Sequence, residues 1–115
     1  MLNISIVLYH PRWEEEVVPL VEELLRCRFL RKIYLIDNSE EKCPEVPISS
    51  GKLRYMFMNA NLGYGKAHNI ALRESAYYRT AYHLVLNSDV RVAAEDIDAM
   101  CEWMEGNSSV GLMMP

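Results

Sequence analysis

Three groups of polar residues stand where short apolar runs end, and their types suit a bound anion together with a hard cation. Asn87-Ser88-Asp89-Val90 follows the run Tyr82-His83-Leu84-Val85-Leu86, which puts a carboxylate at the exit of a strand. A cation such as Mg²⁺ takes one or two protein carboxylates and completes its shell with phosphate oxygens and water, so Asp89 can suffice beside a diphosphate. The competing reading is that Asp89 merely opens a turn. Asp37 ends a second run, Lys32-Ile33-Tyr34-Leu35-Ile36, and is followed by Asn38 and Ser39. A carboxylate there is able to accept a hydrogen bond from a base imide or a ribose hydroxyl. An Asx-turn with Asn38 and Ser39 is the bland alternative.

The third group is Asn61-Leu62-Gly63-Tyr64-Gly65-Lys66-Ala67-His68-Asn69. Gly63 and Gly65 permit positive φ and close backbone approach, and a helix starting near Gly65 offers free N–H groups to an anion. Asn69 then lies one turn in, facing back toward the site. A plain strand-to-helix connection would use the same glycines. The spacing is not the dinucleotide fingerprint, because position 68 is His where a third Gly is needed. His10, His68 and His83 have no metal-ligand spacing; His83 reads as packed in a core strand and His68 as an exposed helix position. Tyr9, closing the first run, either stacks on a base or lies half buried.

The elements that must position these groups alternate between two periods. Asn3 to Tyr9 is strand-like and stops at His10-Pro11, since proline donates nothing to a ladder. Val17, Leu20, Val21, Leu24 and Leu25 follow the stripe of an amphipathic helix, with Pro19 tolerable only near its first turn and Glu14, Glu15 and Glu16 at its favourable acidic end. Lys32–Asp37, Leu53–Met58 and Tyr82–Asn87 read as further strands, and Glu40–Gly51 as a loop. A helix from Gly65 carries Ile70, Leu72, Ala76 and Tyr77; another carries Ile97, Met100, Cys101 and Met104, and ends at Gly106-Asn107. Val110–Met114 is expected to form a fifth strand. Strands alternating with helices imply a Rossmann-like, three-layer α/β/α domain with a mostly parallel sheet, whose ligands bind at the carboxyl ends of the strands.

Composition narrows the partners. With 115 residues, half of them hydrophobic, the chain is of single-domain size. A formal charge of −4 argues against a nucleic-acid surface, which needs clustered Lys and Arg. The densest basic group, Arg26, Arg28, Arg31 and Lys32, reads as cations opposing the dipole of the first helix. Cys27, Cys43 and Cys101 have no close pair and suggest neither a zinc site nor a disulfide framework, so a reducing, cytoplasmic setting is the simplest fit. The apolar start, Leu2 to Tyr9, is too short to span a membrane.

Taken in order, the strand ending in Tyr9, then Ile36-Asp37-Asn38-Ser39, then Asn61-x-Gly63-x-Gly65-x-x-x-Asn69, then Leu86-Asn87-Ser88-Asp89-Val90, the chain resembles the family 2 glycosyltransferases of the GT-A fold, in particular their rhamnosyltransferase-like branch. The resemblance implies a nucleotide-sugar donor (a UDP- or dTDP-sugar) and a glycan or lipid-linked acceptor, at work in the cytoplasm or at the inner face of the plasma membrane. It implies that Tyr9, Asp37, Asn38 and the turn with Asn61, Gly63, Gly65, Lys66 and Asn69 hold the nucleoside. Asn87 stands beside Asp89, which would bind Mn²⁺ or Mg²⁺. Many members carry another Asp at the position of Asn87. The family's general base follows its fifth strand and has no match here, so the catalytic residue is unassigned. On that resemblance residues 1–115 are expected to be a donor-binding half, weakly active or inactive alone and able to form a homodimer through the strand at 110–114. A non-catalytic nucleotide-binding or assembly module on the same fold is the alternative.

Overall fold

The computed structural model describes residues 1–107 and Gly111. A four-stranded, fully parallel sheet runs in the order β3-β2-β1-β4, with β1 at Leu2–Leu8, β2 at Leu30–Asp37, β3 at Leu53–Phe57 and β4 at Tyr82–Asn87. The helices are α1 (Val18–Leu24), α2 (Tyr64–Tyr77) and α3 (Ala94–Glu105). The expected α/β class and parallel sheet are therefore present. The fifth strand and the dimer contact expected of it fall on residues outside the described ones.

Central strands of a parallel sheet are covered on both faces, and β1 shows what each face demands. Leu2, Ile4, Ile6 and Leu8 pack with α1 and α3 residues such as Leu20, Val21, Leu24, Ile97 and Cys101 in the larger core. The other face carries Asn3, Ser5 and Val7 toward α2, whose Ala67 and Ala71 join Tyr34 and Ile36 in a smaller core. Three layers result: α1 and α3, the sheet, and α2. The first helix begins with a π-helical turn, Trp13–Val17, and Pro19 lies in the first turn of α1, where its missing N–H costs nothing.

Three expectations need correcting. The cations at Arg26, Arg28, Arg31 and Lys32 do not close α1, which ends at Leu24. Arg26 pairs with Glu23, Arg28 with Glu102, and Arg31 and Lys32 belong to β2. Helix α2 does not bury Leu72 and Tyr77, which are exposed; its inner stripe is Ala67, His68, Ala71 and Ser75. The reason lies across the interface, where Asn3 and Ser5 call for polar partners. His68 is accordingly not at an exposed position but is 3% exposed, with Nδ1 2.7 Å from Ser5 Oγ.

Candidate functional site

The strand order changes direction at β1: the chain moves outward through β2 and β3, then crosses back to lay β4 on the other side. Open α/β sheets bind ligands at such a switch point, outside the carboxyl ends of the strands. An open cleft of about 660 Å³ lies there, lined by Val7, Tyr9, Glu16, Asn38, Asn61, Gly63, Tyr64, Asn87, Ser88 and Asp89. That volume is within the range of small-molecule sites.

Each wall has a local cause. Asn87 is paired with Val7 in the ladder, and a turn closed by Val90 N–H on the Asn87 carbonyl (3.4 Å) follows at once. The turn lifts Asp89 out of the sheet at the cleft rim, where its side chain is exposed. Opposite it, Gly63 has φ +81° and ψ 167°, a conformation open essentially to glycine alone. The Asn61 side chain accepts from Gly63 N–H at 3.0 Å, and Asn38 Nδ2 donates to the Gly63 carbonyl at 3.3 Å. Helix α2 starts at the next residue, one earlier than expected. Its first N–H groups, those of Tyr64, Gly65 and Lys66, have no intrahelical acceptor and form the positive end of the helix dipole. Only Gly63 of the two glycines has positive φ; Gly65 sits in ordinary helix.

Glu16 is the residue that sequence reasoning missed as a site group. Read as a favourable charge at the start of a helix, it instead lines the cleft from the π-helical turn. Arg91, just past Asp89, donates to the Glu15 carbonyl at 3.0 Å and so ties the turn bearing Glu16 to the loop bearing Asp89. Nothing local in Glu14-Glu15-Glu16 distinguishes the third carboxylate, because a long-range contact selects it. Among the described residues no three His, Cys, Asp or Glu side chains gather around one point, so a closed protein cage for a metal is not formed there. Glu16 and Asp89 on one cleft fit the sparser arrangement of Mg²⁺ or Mn²⁺, in which ligand phosphates supply most of the oxygens.

Of the residues singled out from sequence, Tyr9, Asn38, Asn61, Gly63, Asn87 and Asp89 line the one cleft, while Asp37, Gly65, Lys66 and Asn69 are not part of its wall. Gly65, Lys66 and Asn69 are exposed on α2. Asp37 is 1% exposed and turned inward: Oδ1 accepts from Ser39 N–H at 3.0 Å and Oδ2 from the Tyr55 hydroxyl at 2.6 Å. The Asx-turn reading thus describes its first bond. Burial, followed by the bond to Asp37, pushes the Tyr55 phenol up to about 12. Tyr9 is half exposed and donates to Glu40 at 3.1 Å, which raises its own pKa; a backbone hydrogen bond, and then the bond from Tyr9, lower that of Glu40.

Comparison with models of protein families, with curated proteins and with solved structures finds no match to this chain.

Proposed function

We propose that this chain is the donor-binding half of a glycosyltransferase of the family 2 type, holding a UDP- or dTDP-sugar whose sugar passes to a glycan or lipid-linked acceptor. The observation that carries the reading is the cleft at the sheet's switch point, where the start of α2 meets Glu16 and Asp89. A helix N-terminus attracts a diphosphate, whereas two carboxylates repel it. A divalent cation reconciles the two, and its oxygen-rich shell is completed by the diphosphate. Bound there, Mn²⁺ or Mg²⁺ supplies positive charge to the nucleoside diphosphate as it leaves.

The protein's own groups do the rest. The free N–H of Tyr64, where α2 starts on the cleft wall, meets anionic oxygens, Glu16 and Asp89 provide cation ligands, and Tyr9 and Tyr64, each about half exposed on the rim, offer flat faces for a base. Calorimetric titration of the chain with UDP and dTDP, in Mn²⁺ and in chelator, is the test. Binding that needs the cation is expected. An absence of heat with every nucleotide overturns the reading, and equal heats with and without metal remove the cation from it.

A further inference from the structure

Asn38 is 2% exposed, lines the cleft, and has a carboxamide whose two ends differ. Nδ2 donates to the Gly63 carbonyl, while Oδ1 has no hydrogen-bond partner among the described residues. The carbonyl only accepts, so turning the amide over would forfeit that bond; the bare end is an acceptor. Nearly all buried polar atoms in proteins are paired, and a donor that meets this one recovers the hydrogen bond lost with water. Asp37, the residue that sequence reasoning gave the task of reading the nucleoside, already has both oxygens engaged inside the protein.

Resting on the donor-binding reading above, we infer that Asn38 Oδ1, and not Asp37, accepts a hydrogen bond from an uncharged N–H or O–H donor of the nucleoside. The same side chain holds Gly63 and with it the start of α2, where the diphosphate sits. One residue thereby couples the two halves of the ligand: its oxygen reads the nucleoside and its nitrogen sets the anion site. The oxygen is screened from solvent, so the ligand's donor reaches it as the cleft wall shifts on binding.

Binding of UDP, of inorganic pyrophosphate, and of N3-methyl-UDP, 2′-deoxy-UDP and 3′-deoxy-UDP, all in Mn²⁺, separates the possibilities. With the native protein one of the three analogues should bind about tenfold more weakly than UDP, the loss of one buried hydrogen bond. Asn38→Leu, which also removes the bond to the Gly63 carbonyl, should weaken pyrophosphate somewhat and UDP by a clearly larger factor, and should erase the difference between UDP and that analogue. If UDP binds and none of the analogues is weaker, Oδ1 reads nothing and the inference falls, whether or not the variant folds. Equal losses of UDP and pyrophosphate in Asn38→Leu also overturn it, leaving Asn38 as a brace for Gly63 alone. Failure of the native protein to bind either UDP or dTDP instead sinks the donor-binding reading, and this inference with it.

Discussion

Ser5 Oγ lies 2.7 Å from His68 Nδ1 and 2.8 Å from His83 Nε2, so a single hydroxyl on β1 links helix α2 to the edge strand β4. The bonds continue as a buried network from a group that only donates. Arg31 donates to Asn3 Oδ1, Asn3 Nδ2 to Ser75 Oγ, and the Ser75 hydroxyl lies 2.7 Å from His83 Nδ1. Ser75 on α2 and Ser5 on β1 thus hold the two ring nitrogens of His83 between them, and Ser5 also reaches His68. Burial favours the neutral form of both imidazoles. This polar seam runs along the inner face of α2 from His68 to Ser75 and fixes that helix against the sheet.

Acid should loosen the seam. Burial, with His68 beside it, pushes His83 down to about 4 from an ordinary 6.5, and burial lowers His68 as well. A folded value below the unfolded one means that protonation favours the unfolded chain. The stability contributed is complete above about pH 6.5 and is lost as the pH falls toward 4. Urea midpoints of the native chain and of His83→Gln, measured across that window, should converge as the pH drops. A constant difference between them would show that His83 is not titrating.

Asp37 and Tyr55 should behave as one unit. Charge-assisted bonds of this kind contribute ~1.5–3 kcal/mol, so Asp37→Ala should lower stability by ~2 kcal/mol. Tyr55→Phe should cost less, and the double variant should lose less than the two added together. Denaturant unfolding of all four proteins measures the coupling; simple additivity would separate the residues.

Two glycines two positions apart should respond with opposite signs. Gly63→Ala must hold φ +81°, ψ 167° with a Cβ, at ~1–3 kcal/mol, although nothing lies within 4 Å of that Cβ. Gly65→Ala sits in open space inside helix α2 and should gain ~0.5–1 kcal/mol. Thermal unfolding reads both. Similar melting temperatures for the two variants would contradict the assigned backbone geometry.

Glu16→Gln should copy Asp89→Asn. Each removes one carboxylate from the cleft, so UDP affinity in Mn²⁺ should fall toward its value in chelator, while affinity in chelator rises slightly as repulsion is relieved. Calorimetry in the two conditions distinguishes this from a general loss of fold, which would weaken both.

Local pattern determined the elements of this protein. The run Tyr82–Asn87 is β4 without adjustment, the stripe from Ile97 to Met104 is α3, and Gly63 marks the strand-to-helix turn, because side-chain period and glycine's backbone freedom act within a few residues. Even the polar line of Asn38, Asn61, Asn87 and Asp89 was legible as strand-end chemistry. Only the tertiary structure decided which of these groups share a space. Laying β4 beside β1 brings Asp89 to Tyr9, and the Arg91 bond to the Glu15 carbonyl brings in Glu16, across more than seventy positions of sequence. Packing also overruled appearance. Tyr55 turned Asp37 inward and left Asn38 facing the cleft, and a serine on the inner strand drew His68 out of water, since a buried hydroxyl or carboxylate must find its partner wherever the fold supplies one.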